Sequence, residues 1–129
     1  MKKIMVLAFA ALAMVSCGGG SSENKKEGEE KKESSSEVSK NPDYQKGLDL
    51  IAKSNCLTCH RVDEPLTGPT YRDVANKYAS GSDSVLNYLS EKIINGGSGV
   101  WGQVPMLPHP EISKEDATAM VKYILLLKK

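Results

Sequence analysis

Large side chains are scarce in this 129-residue chain, which holds one Phe, one Trp and five Tyr. The Phe is Phe9, near the N-terminus, so Trp101, the tyrosines and aliphatic residues are left to build a core. A small domain with so little to bury is marginal on surface-to-volume grounds, and something other than side chains must complete it. No run alternates apolar and polar residues with the period of a strand, which argues against a β fold. The apolar run from Ile4 to Val15 is too short to cross a bilayer. Charge bias is missing too: 17 basic residues face 16 acidic ones. That balance gives no electrostatic footprint for nucleic acid and no field for a strongly acidic substrate. The length allows one domain and no more.

With only three cysteines and two histidines, the spacing of Cys56-Leu57-Thr58-Cys59-His60 stands out. Two thiols three positions apart, followed at once by an imidazole, form the attachment signature of c-type haem. On one turn of backbone the thiols can add to the two vinyl groups of a haem edge, while His60 is carried toward the iron. A haem, a large apolar disc, would also supply the missing core, so the apoprotein is expected to fold poorly. Three rivals compete for the five residues. A thioredoxin-like CxxC belongs between a strand and a helix, yet the residues before Cys56 read as helical. A zinc site needs four ligands, and beyond this motif the mature chain offers only His109. Two buried cysteines and a chance histidine are the plain alternative, which the motif alone leaves open.

The first 17 residues have a basic start (Lys2, Lys3), an apolar stretch and a small residue before Cys17, the n-region and h-region of a secretory signal. Met14-Val15-Ser16-Cys17 resembles the lipobox of bacterial lipoproteins, in which the Cys becomes the first mature residue and carries lipid; Met replaces the more usual Leu at its first position. Two or more acyl chains would make the attachment stable. Residues 18–40 turn to Gly, Ser, Glu and Lys, with Val38 the clearly apolar exception. Such a segment gains too little from burial to offset its ordering entropy and is expected to be disordered, a spacer with an r.m.s. reach of about 25 Å. Residues 41–129 carry the domain.

Asn41-Pro42 reads as a helix start, Asn at the cap and Pro at the first helical position. Tyr44, Leu48, Ile51 and Ala52 then recur near helical spacing up to Cys56. Thr67-Gly68-Pro69 marks a turn, and Tyr71, Val74, Ala75 and Tyr78 are spaced for a short amphipathic helix. A third helix is expected from Ser82 or Ser84 to Asn95-Gly96, with Val85, Leu86, Leu89 and Ile93 inward. A last one opens at Ser113 and carries Ala117, Met120, Val121, Ile124 and Leu125. Between them, Gly96 to Pro110 reads as a loop. Its glycines suggest a phosphate cradle only superficially, since no strand precedes them and no P-loop Lys follows. Met106 stands between Pro105 and Pro108. A lone Met is more often gap-filling core, but the haem motif calls for a second axial ligand, and prolines that fix φ would hold a ligand loop rigid. Met120 falls in the helical stripe and is read as core.

From residue 41 onward the chain resembles bacterial class I cytochromes c of the small c551/c552 (cytochrome c8-like) type. The resemblance rests on Cys56 to His60, on Thr67-Gly68-Pro69-Thr70-Tyr71-Arg72-Asp73-Val74-Ala75, on Gly96-Gly97-Ser98-Gly99-Val100-Trp101-Gly102-Gln103-Val104-Pro105-Met106, and on the C-terminal helix. It implies an all-α fold of about four helices around one haem c, bound covalently through Cys56 and Cys59. It further implies His60 and Met106 as axial ligands, the Pro69 carbonyl as acceptor for the other imidazole N–H of His60, and a bond from Trp101 to a haem propionate. Gly47 falls where the family's terminal helices cross, near Tyr123. Two positions depart from the pattern. Lys92 occupies a place where relatives often have a propionate-binding Arg, and His109 stands where an Asn often donates to the Met sulfur. Three roles stand open for His109: to donate in turn, to be solvated, or to compete for iron when Met106 is lost.

His/Met ligation leaves no open site and favours the ferrous form. The expected function is therefore one-electron transfer, not enzymatic catalysis, by a monomer lipid-anchored at Cys17 on the periplasmic side of a bacterial membrane. Its partners would be redox proteins such as a membrane oxidase or reductase, with no nucleic acid. A haem peroxidase or ligand sensor is the alternative, and it requires a labile sixth ligand.

Overall fold

The computed structural model describes residues 37–129. The expectations for a signal segment, for lipidation at Cys17 and for most of the spacer lie outside the described residues. Residues 37–40, the end of that spacer, form a turn in which Lys40 N donates to Glu37 O at 3.1 Å and Asn41 N to Val38 O at 3.1 Å.

Helix α1, Pro42–Lys53, begins where the sequence predicts: the Asn41 side chain accepts from Asp43 N at 2.8 Å and Pro42 takes the first helical position. The helix ends three residues before Cys56, and a 3₁₀ turn, Cys56–Thr58, carries the first half of the motif. Helix α2, Tyr71–Lys77, is capped by the Thr70 hydroxyl, which accepts from Asp73 N at 3.0 Å. Helix α3 spans Asp83–Asn95 and stops at Gly96. Helix α4, Lys114–Leu126, starts under a Ser113 cap accepting from Asp116 N at 3.1 Å, with Glu115 and Asp116 in its first turn. Those two acidic residues sit where the helix dipole favours negative charge.

One expectation is corrected. The stretch from Gly96 to Pro110 is not loop throughout, because strands β1, Gly97–Gly99, and β2, Gly102–Met106, pair antiparallel with Gly97 opposite Met106 and Gly99 opposite Gly102. Neither strand buries a full face, so no alternation marks them in the sequence. The hairpin arises instead from backbone freedom. Gly99 and Gly102 take φ of +104° and +113°, which side-chain-bearing L residues seldom adopt, and the ladder is irregular between Gly97 and Gly99.

The core sits where α4 crosses α1 and meets α2 and α3. It holds Ile51, Val74, Ala75, Ile93, Met120, Val121, Tyr123 and Ile124. At the α1–α4 crossing Gly47 brings the two backbones together: a side chain there would overlap the Tyr123 Cβ and lie 2.5 Å from the Ala119 carbonyl oxygen. Tyr44 meets Tyr123 edge-on at 4.9 Å beside this contact. Ser90, fully buried on α3, donates to Leu86 O at 2.7 Å and shares a 3.1 Å hydrogen bond with Thr118 of α4.

Candidate functional site

The two thiols are presented by a tight turn. Asn55 takes a left-handed φ of 55°, a conformation Asn tolerates better than most residues. From there Thr58 N donates to Asn55 O at 3.1 Å, and Cys59 N and His60 N both donate to Cys56 O at 3.2 and 3.0 Å. Both cysteines are free thiols, so the pair is not a disulfide. Burial pushes the Cys56 thiol up from its ordinary value, against hydrogen bonds from its own backbone and from Tyr71 that pull it down.

His60 is held by the segment that follows it. Gly68 N donates to Cys59 O at 2.9 Å, Tyr71 N to Arg61 O at 2.9 Å and Arg72 N to Val62 O at 3.1 Å, so the chain doubles back on the motif. The fold-back brings the Pro69 carbonyl to 2.8 Å from His60 Nδ1, which must be the donor because a carbonyl only accepts. With Nδ1 engaged, Nε2 is left as the free lone pair. Gly68 passes so close that a Cβ on it would stand 2.5 Å from His60 Cε1. Tyr71 stacks on the imidazole, ring centroids 5.3 Å apart and planes 14° from parallel.

Opposite elements close a cavity of about 600 Å³ lined by Cys56, Cys59, His60, Pro69, Trp101 and Met106 together with apolar residues of all four helices. The volume falls within the range of about 300–1,000 Å³ usual for cofactor sites. Met106 ends β2 and is half-buried. Its loop is tied down just beyond, where His109 N is shared between Ile93 O at 3.2 Å and Ile94 O at 3.0 Å. Met120, read from the sequence as core, is buried in α4 among the core residues and also reaches the cavity wall.

Trp101 lies between the strands, 45 % exposed, and Lys77 Nζ stands 5.4 Å from its ring centre. Lys92 also lines the cavity and lies 5.6 Å from the Tyr88 ring centre. His109 reaches the same cavity and its Nδ1 pairs with Glu111 at 3.1 Å. Tyr71 as a neighbour of His60 and Tyr88 as part of the wall are not foreseen from the sequence. Tyr71 carried a signal in its place directly after Gly68-Pro69-Thr70, but its helical spacing marked it only as core.

The donor set suits haem c. Two thiols on one turn, an imidazole with its second nitrogen already bonded, a soft thioether and apolar walls are what a covalently held, doubly ligated haem requires. Among the described residues no group of three or more His, Cys, Asp or Glu is arranged to hold a metal ion, and no helix is long and apolar enough to cross a membrane.

Comparison with known proteins places the same region. The family model described as cytochrome c matches residues 44–128. Cytochrome c-552 of Nitrosomonas europaea is 46% identical over 84 residues, covering 65% of this chain and 81% of that protein. Cytochrome c-551 of Azotobacter vinelandii is 38% identical over 84 residues, covering 65% of this chain and all of its own length (100%). The crystal structure of wild-type Nitrosomonas europaea cytochrome c552 superposes with a TM-score of 0.58 at 47% identity, covering 63% of this chain and 99% of that one.

Proposed function

Because the chain belongs to the cytochrome c family, electron-transfer proteins rather than enzymes that hold one covalent haem c through a CxxCH motif, we propose that it is a membrane-tethered one-electron carrier of a respiratory chain. In this reading His60 and Met106 would be the two side chains that hold its iron. The observation that carries it is that His60, with Nδ1 committed to Pro69, and Met106 line one apolar cavity. Haem, when bound, supplies an iron that cycles between ferric and ferrous states.

The chain's own residues do the rest. Cys56 and Cys59 would hold the haem by thioether bonds, so the cofactor could not be lost by simple dissociation. The Pro69 carbonyl fixes the imidazole tautomer and would make His60 a stronger donor. The Met106 thioether, a soft donor, favours the reduced state. With His60 and Met106 both engaged, the bound iron would keep no position open for a substrate. The apolar walls from Ile51, Val74, Ile93 and Val121 keep water out, and a site that reorganises little suits electron transfer. Trp101 and Lys92 both line the cavity; Trp101 would bond a haem propionate, and Lys92, a point charge rather than a planar fork, would make a weaker contact or none.

Delivery of electrons is by brief contact with redox proteins such as a membrane oxidase or reductase, and such encounters are small. Leu57, Val104 and Leu107, all exposed, supply an apolar rim beside the motif and the Met106 loop. Residues 1–17 serve as a lipoprotein signal, Cys17 carries the lipid, and residues 18–40 tether the domain on the periplasmic side as a monomer. Redox titration and optical spectra of the holoprotein test the ligand set. Met106→Ala should abolish the thioether-to-ferric charge-transfer band, lower the potential and admit carbon monoxide to the reduced protein. Unchanged spectra and potential would overturn the assignment.

A further inference from the structure

We infer that Tyr71 is a positioning residue for His60: its ring, stacked on the imidazole, sets the plane in which His60 presents Nε2. The inference rests on His60 being an axial ligand.

A single hydrogen bond from Nδ1 to Pro69 fixes one direction within the imidazole plane but leaves the ring free to pivot about that bond. A flat neighbour removes the remaining freedom. Tyr71 supplies one, its ring 14° from parallel with the imidazole at a centroid separation of 5.3 Å. Offset stacking at such a distance is a favoured arrangement of aromatic rings. The platform is itself rigid. Tyr71 is only 4 % exposed, meets Tyr123 at 87° with centroids 6.4 Å apart, and anchors its backbone N on Arg61 O at 2.9 Å. It is also the first residue of α2, directly after the Thr70 cap. Pro69, Thr70 and Tyr71 thus supply in-plane bond, helix cap and ring face from three consecutive residues. Gly68 completes the fit, since a Cβ there would stand 2.8 Å from Nδ1 and 3.0 Å from Nε2.

Restriction of the imidazole plane matters because the orientation of a π-donor ligand selects the iron d orbital that holds the unpaired ferric electron, and a spread of orientations spreads the orbital energies. The experiment is electron paramagnetic resonance of the ferric, full-length holoprotein, with thermal unfolding alongside. The parent is read first: without a low-spin signal of a His/Met pair, the axial assignment itself fails. With that signal present, Tyr71→Phe keeps the ring and should leave the g-values at their parent positions. Tyr71→Met keeps a long apolar side chain in the space but removes the flat face, and should displace the largest g-value and broaden its line. A Tyr71→Met protein that melts lower yet retains parent g-values and line widths would overturn the inference, reducing Tyr71 to packing. Tyr71→Phe decides independently if the Met variant does not accumulate: displaced g-values at unchanged melting temperature would assign control to the hydroxyl and overturn the stacking role.

Discussion

Gly47 of α1 lies against Tyr123 of α4 so closely that the Tyr123 Cβ fills the place of a side chain on Gly47. The backbone is helical there, so Ala would be favoured by propensity by about 1 kcal/mol. Crowding outweighs that gain, because the nearest groups are the backbone carbonyl of Ala119 and the stem of Tyr123, neither a flexible chain end. Gly47→Ala is expected to destabilise the holoprotein by about 1–3 kcal/mol, the usual cost of overpacking. Guanidinium unfolding should show a lower midpoint while the axial charge-transfer band persists at zero denaturant.

Gly68→Ala acts on the site instead. Its Cβ would enter the space of the His60 ring and push it away from the Pro69 carbonyl. A weaker Nδ1 bond makes the imidazole a poorer donor, which destabilises the ferric state. The midpoint potential should therefore rise in redox titration, and a value equal to or below that of the parent would contradict the role given to Pro69.

Tyr123 predicts an alkaline limit. Burial, then the neighbouring Tyr44, pushes its phenol from an ordinary value of 10 up to about 12. Tyr71 is raised further still, again by burial first. A raised folded value means the folded state prefers the neutral phenol. The stabilisation is complete below pH 10, falls as the unfolded chain ionises, and is lost as pH rises through about 12. Melting temperature measured from pH 9 upward should drop across that window, with phenolate absorbance appearing late. Tyr123→Phe should flatten the drop; an equally steep one would place its origin elsewhere.

Cys17→Ser, expressed with haem-attachment machinery, should release spectroscopically normal holoprotein from the membrane fraction into the soluble one. Retention at the membrane, in the parent's proportion, of Cys17→Ser protein shown by mass to have lost its N-terminal signal would remove lipidation as the tether.

Much of this architecture was readable from local chemistry. Asn41 and Ser113 each cap a helix with a side-chain oxygen, and Gly96 ends one. Such signals act within a turn of backbone, so neighbouring letters suffice to reveal them. The Cys56–His60 spacing and the prolines around Met106 were legible for the same reason. The hairpin was not, because its strands are held by glycine conformations and expose nearly every residue, leaving no period to detect. The Tyr71–His60 stack escaped too. It depends on residues 61–70 folding back on the motif, and a tyrosine at helical spacing is indistinguishable in sequence from one that merely fills the core.

At the tip of that hairpin, a Cβ on Gly99 or Gly102 would meet nothing within 4 Å. Space is therefore not what these positions demand. Their φ values of +104° and +113° belong to the mirror image of the territory open to L residues. The constraint is one of handedness. D-alanine introduced there by chemical ligation should be accepted, and by restricting the unfolded chain should even raise the unfolding midpoint, whereas its L enantiomer, identical in size and hydrophobicity, should distort the Met106 loop.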